Sequence, residues 1–330
     1  MIPLEFSKFF NDCDNAHKQM IIDELIDIVM QNECVPDNVD GAILKCPHCS
    51  SMAFRRNGYL KKMKRYKCTE CNKHFSLSTG KFWFALKKKN LLSTYMYCLI
   101  SGYSIRKSAQ FTRISIQTSF DWRHKLLTSF STVLPVGFKG IVEVNSLDVQ
   151  YSEKGKRSTG ETHSELSNEI KKKADDNKQV VVLATCDRSG GEDLRVITQG
   201  ILCVEDVKRA LQGRIQYAEI LISGRENKLD VLNRDLEIEQ LKPESEKSIL
   251  SNPTIHIKNV NNMTIGLTKF MIPFHGVATK YLQNYLNWFL ILTKVKDVTR
   301  KILTVASIAL SANRAWFDFR DRNINIFFRT

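Results

Sequence analysis

CPHCSSMAFRRNGYLKKMKRYKCTEC, at residues 46–71, contains two C-x2-C pairs separated by 18 residues. Each pair places two thiolates on one side of a tight loop, and two such loops complete a closed tetrahedral metal site. A closed site has no open position for a substrate, so the spacing predicts a zinc ribbon whose metal is structural. The four predicted ligands are Cys46, Cys49, Cys68 and Cys71.

The positive charge of the chain is concentrated around this motif. Residues 51–130 carry 17 Lys and Arg against two acids, a net charge of +15, while the whole chain has +14. Because contacts of Lys and Arg with phosphates release counterions, this basic block with interleaved aromatics (Phe54, Tyr59 and Tyr66) predicts nucleic-acid binding. A solvated charged face and an anionic membrane surface are the alternatives. The predicted DNA contacts in the ribbon are Arg55, Arg56, Lys61, Lys62, Lys64 and Arg65.

The next segment has the pattern of a helix-turn-helix. A helix ends near Gly102, a short helix covers residues 105–111, and a second helix begins after Ser115, whose hydroxyl suits an N-cap. In this motif the second helix enters the major groove of DNA. The predicted core side of that helix consists of Ile116, Phe120 and Leu127. The predicted DNA contacts of the segment are Arg106, Lys107, Gln117, Thr118, Arg123 and Lys125.

Beyond Pro135 the pattern changes to strands with intervening helices, which predicts a mixed α/β sheet. The segment at residues 155–178 is polar and rich in lysine, as expected of a loop. The predicted strands are GIVEVNSLDVQY, QVVVLATCDRSG, LRVITQG, AEILISG and TIHIKNV. The predicted helices include VEDVKRALQGRI and a later one with Tyr281, Tyr285, Trp288 and Phe289 on its inner face.

These patterns divide the chain into five predicted parts. The first is acidic with helical periodicity, and the last pairs aromatics with arginines, which predicts a packing element or, alternatively, a partner-binding one. The parts are a helical cap (1–40), the zinc ribbon (41–81), the helix-turn-helix (82–134), the mixed α/β domain (135–298) and a C-terminal tail (299–330).

The sequence predicts a soluble, cytoplasmic protein with no membrane partner. Its start, MIPLEFSKFF, lacks the basic residues and apolar run of a secretory signal, and the apolar stretches WFLIL and ILTVASIALSA are too short to span a bilayer. The five cysteines outside the ribbon have no regular spacing, which is typical of reduced thiols.

Five motifs occur in a familiar order: CPHC…CTECNKHFSLSTG, WRHKLL, GIVEV, CDRSG and HIKNVN…FHGVATKYLQNYLNW. With them the chain resembles, over residues 40–290, bacterial insertion-sequence transposases of the DDE class. Those enzymes combine a zinc ribbon, a helix-turn-helix and an RNase H-like catalytic domain. The resemblance implies an RNase H-like fold for the mixed sheet and double-stranded DNA as the partner, with a homodimer as a possible working unit.

The resemblance also implies which residues should hold two Mg²⁺ ions, normally by three acidic side chains. The first acid falls on Asn145, with Ser146 beside it. The second falls on Gly224. The third falls on Thr264, or on Asn261 if the Asn of the VN motif serves instead. A basic residue expected shortly afterwards falls on Gly266, although Lys269 remains. A neutral amide supplies no charge to offset the desolvation of Mg²⁺, so these substitutions imply very weak metal binding.

Three hypotheses follow. The first is a transposase-derived DNA-binding protein without catalysis, which recognises a transposon end or a related site. The second is an active, Mg²⁺-dependent transposase that carries out DNA cleavage and strand transfer with relocated acids. The third is a decaying remnant without function. The candidate relocated acids are Asp148, Glu153, Glu226 and Asp230.

Overall fold

The chain forms two compact units, Met1–Thr132 with Ile291–Asp321 and Val133–Leu290 with Arg322–Thr330. The described residues of the predicted tail belong to the first unit. The computed structural model describes residues 45–60, 63–76, 78–84, 86–133, 137–153, 179–223, 239–241, 255–294, 304–305, 308–309, 312 and 314–320. The predicted helical cap and the predicted loop at residues 155–178 lie outside the described residues.

Eight strands and seven α-helices are described. The strands are β1 (Phe54–Leu60), β2 (Met63–Cys68), β3 (His74–Phe75), β4 (Lys139–Gln150), β5 (Gln179–Asp187), β6 (Glu192–Gln199), β7 (Tyr217–Ser223) and β8 (Glu239–Leu241). The α-helices are α1 (Leu92–Ile100), α2 (Ile105–Thr112), α3 (Ile116–Ser129), α4 (Val204–Leu211), α5 (Lys258–Met271), α6 (Thr279–Lys294) and α7 (Ala315–Arg320). Short 3-10 helices cover Lys89–Leu91, Phe130–Val133 and Ile272–Phe274.

The first unit contains a three-stranded antiparallel sheet, here called the cysteine sheet (residues 45–76), with strand order β1-β2-β3. Its small core is aromatic: Phe54 meets Tyr66 and Phe75 edge-on, at ring-centroid distances of 5.4 Å and 5.5 Å. Two of the aromatics predicted to interleave with the charges, Phe54 and Tyr66, therefore pack inside the sheet. Only Tyr59 of the three is largely exposed, at 60%.

Helices α1, α2 and α3 follow as predicted, and local capping explains where α2 and α3 begin. The hydroxyl of Ser104 accepts a hydrogen bond from Lys107 N, and that of Ser115 accepts one from Thr118 N, so both side chains act as N-caps. Tyr95 of α1 donates to the carbonyl oxygen of Ser119, which joins α1 to α3. The predicted N-cap at Ser115 is confirmed.

The second unit contains a five-stranded mixed sheet of order β6-β5-β4-β7-β8. The pairs β4–β5 and β5–β6 are antiparallel, whereas β4–β7 and β7–β8 are parallel. Four of the five predicted strands are confirmed. The fifth, TIHIKNV, is wrong: α5 begins at Lys258, inside it. A short apolar run is ambiguous between strand and helix, and here the helical pattern continues to Met271.

Helices cover both faces of this sheet. Side chains of successive strand residues point to opposite faces, so Val181 and Leu183 of β5 pack in a cluster with α4, while Val180 and Val182 pack with α5 and α6. A strand covered on both faces has no polar alternation, which is why β5 reads VVVLATC. The predicted mixed α/β class is thus confirmed.

The predicted inner face of α6 is also confirmed, since its four predicted aromatics are buried. None of the helices among the described residues has both the length and the apolar character needed to cross a membrane.

Candidate functional site

The four predicted metal ligands come together at one end of the cysteine sheet. Their sulfur atoms all lie within 4.8 Å of one another. Cys46 Sγ lies 3.7 Å from Cys71 Sγ, and Cys49 Sγ lies 3.6 Å from Cys68 Sγ. A tetrahedron with metal–sulfur bonds of ~2.3 Å has sulfur–sulfur edges of ~3.8 Å, so the donor set fits a tetrahedral metal ion. Disulfides are excluded, because their sulfur atoms are only ~2 Å apart.

The two C-x2-C loops have the same backbone design. Cys46 N donates to Ser51 O at 2.8 Å, and Cys68 N donates to Lys73 O at 3.0 Å, five residues ahead in each case. The residue after each second cysteine adopts a left-handed conformation, with φ of 64° at Ser50 and 57° at Asn72. This sharp reversal turns the backbone around the sulfur pair, so the loop geometry is built by the chain itself.

The predicted basic residues of the cysteine sheet divide by exposure. Arg55 and Arg56 are exposed, and Lys64 and Arg65 are half-buried. The guanidinium carbon of Arg56 lies 5.2 Å from the ring centroid of the exposed Tyr59, which forms a cationic and aromatic surface. The predicted contacts Lys61 and Lys62 lie outside the described residues.

Arg123 and Lys125 do not lie on an exposed face of α3, and their assignment as DNA contacts is corrected. Arg123 is fully buried, and its guanidinium donates to Tyr103 O at 2.5 Å and to Ser108 Oγ at 3.0 Å. It therefore joins the three helices from inside. The side chain of Lys125 is 8% exposed and covered by α7.

Helix α7 packs on three parts of the first unit. Lys125 Nζ lies 4.3 Å from the Trp316 ring centroid and 5.3 Å from that of Phe319. Trp316 N donates to Gly80 O at 2.9 Å. The ring centroid of Phe317 lies 5.0 Å from that of His48, a residue that stands between Cys46 and Cys49 in the sequence. The packing alternative for the C-terminal aromatics is thus confirmed for the described residues of α7.

The other predicted DNA contacts of the helical segment lie in the first turn of α3 and at the start of α2. Arg106, Lys107 and Gln117 are exposed and Thr118 is half-buried. The prediction that Ile116 faces the core is wrong, because its side chain is 57% exposed. Leu127 is fully buried, as predicted, and Phe120 is half-buried against His124.

In the second unit, two of the positions that the resemblance assigned to metal-binding acids contact each other. Asn145 lies on the central strand β4 and Asn261 on α5, and Asn145 Nδ2 donates to Asn261 Oδ1 at 3.0 Å. Asn145 Oδ1 accepts a second hydrogen bond from Ser146 N at 2.9 Å. Both amide oxygens are thus already engaged by hydrogen bonds within the protein.

The other positions that the resemblance singled out are Thr264, Gly266 and Gly224. Thr264 donates its hydroxyl to Asn261 O within α5 at 2.9 Å. At Gly266, an added Cβ would lie 3.3 Å from the Phe289 ring, so a side chain there would require that ring to shift by a few tenths of an ångström. Gly224, one residue beyond the end of β7, lies outside the described residues. Among the described residues, the cysteine cluster is the one group of three or more His, Cys, Asp or Glu side chains placed to hold a metal ion.

The candidate relocated acids do not converge on Asn145 in the described part of the chain. Asp148 is exposed and three residues along β4, so the strand alternation directs it to the opposite face. Glu153 is exposed and accepts a hydrogen bond from Tyr151 OH at 2.8 Å. Glu226 and Asp230 lie outside the described residues.

Glu143 is a buried acidic residue that sequence reasoning did not single out. It lies on β4, on the same face as Asn145, and its side chain is fully buried. One carboxylate oxygen accepts hydrogen bonds from Asn259 N at 2.9 Å and Val260 N at 3.1 Å, at the start of α5. The other accepts from Asn259 Nδ2 at 2.9 Å. The sequence signal that could have identified this residue was an acid between the two valines of the VEV segment, which is otherwise apolar.

Arg188 completes the surroundings of this carboxylate. Its Nη2 lies 2.9 Å from Glu143 Oε1, and the same nitrogen donates to His256 O at 3.3 Å. Burial, together with the charge of Glu143, raises the pKa of the neighbouring Cys186 thiol to about 12, so that side chain stays protonated. Glu143 thus ties the start of α5 and the β5–β6 turn to the central strand.

Asp187 of the CDRSG motif closes the same turn. Its carboxylate accepts hydrogen bonds from Ser189 N at 2.9 Å and Gly191 N at 2.7 Å. Burial alone would raise the pKa of Asp187, but these hydrogen bonds and one from Lys139 N lower it below the ordinary value. A Cβ at Gly191 would lie 2.7 Å from the carboxylate, so the turn requires glycine there.

Comparison of the chain with protein-family models, with curated proteins and with solved structures gives no match in any of the three. The likeness to transposases therefore rests on the five sequence motifs, and the function is argued from the geometry above.

Proposed function

We propose that the protein is a transposase-derived DNA-binding protein that recognises a transposon end or a related duplex site and has lost catalysis. The observation that carries this proposal is that four basic side chains are exposed on the surface of the first unit, namely Arg55 and Arg56 of the cysteine sheet and Arg106 and Lys107 of α2. Zinc in the cysteine cluster stabilises this surface, and double-stranded DNA is the partner.

The helical segment supports DNA as the polyanion. Helices α2 and α3 have the order and the short turn of a helix-turn-helix, and the motif reads bases mainly with the first residues of its second helix. That first turn is the exposed part of α3, while its later residues are buried by α1, α2 and α7. The burial of Arg123 and Lys125 is therefore compatible with this mode of binding.

The second unit supports a scaffold role rather than a catalytic one. Its mixed sheet with helices on both faces suits an RNase H-like domain. At the expected metal site, however, Asn145 and Asn261 bond to each other, and Glu143 is saturated by donors from α5 and by Arg188. Mg²⁺ prefers anionic oxygen ligands, which this arrangement does not offer.

The test is to incubate the full chain with duplexes from the ends of its own gene region, with Mg²⁺ or Mn²⁺, and to score retained complex and strand cleavage together. We expect specific binding that is independent of added divalent metal, and no cleavage. Asn145→Ala should leave the affinity unchanged. Cleavage would show that a working transposase site exists, and the absence of any binding would favour the decaying remnant.

The role of individual lysines can be separated by salt dependence. Lys107→Met is expected to lower the slope of log affinity against log salt by ~0.9, the loss of one phosphate contact. Lys125→Met is the matched control: because Lys125 lies under Trp316 and Phe319, its slope should equal that of the wild type. A smaller slope for the Lys125 variant alone would restore the original assignment of Lys125 as a DNA contact.

A further inference from the structure

The exposed isoleucine of α3 lies outside the buried core of the first unit. Among the apolar side chains of the helix, Trp122, Leu126 and Leu127 are at most 4% exposed, whereas Ile116 is 57% exposed. An exposed apolar side chain beside basic residues is suited to a partner that presents both phosphates and an apolar group. In duplex DNA, the C5 methyl of thymine is that group in the major groove.

Its neighbour Gln117 is oriented for a second base contact. Gln117 Nε2 donates to Asp121 Oδ1 at 3.2 Å, one helical turn along. That hydrogen bond uses one of the two amide hydrogens. The second N–H and the carbonyl oxygen form the donor–acceptor pair that binds N7 and N6 of adenine. Asp121 therefore positions the amide through one of its two hydrogens.

The charges around this turn agree with a DNA occupant. Between Glu70 and Asp121 the sequence contains no acidic residue, and Asp121 is the acid that orients Gln117. Arg106, Lys107 and Arg113 are exposed on α2 and at its end. Basic side chains at this position would contact phosphates on either side of the groove.

We propose that the first turn of α3 selects A·T base pairs, with Gln117 binding an adenine and Ile116 contacting the methyl group of a thymine. This inference rests on the proposed DNA-binding function and deepens it, because it names the bases that are read. Phosphate contacts alone would give affinity without sequence preference.

The experiment uses base analogues in a duplex, taken from the ends of the gene region, that the full chain binds. Each thymine is replaced in turn by uracil, which lacks the methyl group, and each adenine by 7-deazaadenine, which lacks N7. We expect one uracil position to weaken wild-type binding about 5-fold and one deazaadenine position about 10-fold or more. Ile116→Ala should abolish the first difference and Gln117→Ala the second.

Ile265→Ala is the matched control, because this isoleucine is 54% exposed but lies on α5 of the second unit. It should keep both differences. The two variants, Ile116→Ala and Gln117→Ala, could instead bind specifically and discriminate the analogues as the wild type does. That result would overturn the inference and leave the proposed function standing. If the wild type binds no duplex specifically, both the proposed function and the inference fail.

Discussion

Cys68→Ser is expected to unfold the cysteine sheet and to abolish DNA binding. Cys68 is fully buried, and it pairs with Phe54 in the β1–β2 ladder. Its N–H donates to Lys73 O at 3.0 Å, so Cys68 joins the cysteine cluster to the strand ladder. Structural zinc contributes roughly 10–16 kcal/mol of apparent binding free energy to the folding of small zinc domains, and serine supplies no thiolate. The loss should therefore exceed what this small aromatic core can offset.

The measurement combines zinc content, far-ultraviolet circular dichroism and an electrophoretic mobility shift with the same duplexes. The wild type should bind one zinc per chain, and the variant none. Cys203→Ser is the control, because Cys203 is exposed in the second unit and its Sγ donates to Asp206, a hydrogen bond that serine can also make. Retained zinc and unchanged affinity in Cys68→Ser would refute the zinc ribbon.

The second large effect concerns the second unit. Glu143→Gln is expected to lower its free energy of unfolding by about 3–5 kcal/mol, the usual cost of removing one partner from a buried ion pair. The amide would present an N–H group to donors that now meet a carboxylate, namely Arg188 and the N–H groups at the start of α5. Because three of the four tryptophans lie in the first unit, the change is measured by hydrogen–deuterium exchange of the amides of β4 and α5 in increasing denaturant, which reports the second unit.

Glu219→Gln makes the same chemical change at an exposed position of β7 and should alter stability by less than ~0.5 kcal/mol. Zinc content should be unchanged in both variants, because the cysteine cluster belongs to the first unit. Equal stability of Glu143→Gln and wild type would show that Glu143 does not hold α5 on the central strand.

Local features of the chain were predictable because local chemistry controls them. The C-x2-C spacing identified all four residues of the cysteine cluster, and Ser115 was recognised as an N-cap. Alternating or continuous apolar runs located four strands of the mixed sheet. The N-cap, the strands and each C-x2-C loop depend on residues within a few positions of one another, so local spacing, periodicity and capping rules suffice.

Sequence by itself thus determined the cysteine cluster, four of the five strands of the mixed sheet and the location of the basic block. Tertiary structure alone decided which faces are covered. Lys125 is buried by Trp316, nearly 200 residues later, and Asn145 meets Asn261 across β4 and α5. The physical reason is that burial and hydrogen bonding depend on elements distant in the chain, whereas helical and strand periodicity reports only that one face will be covered.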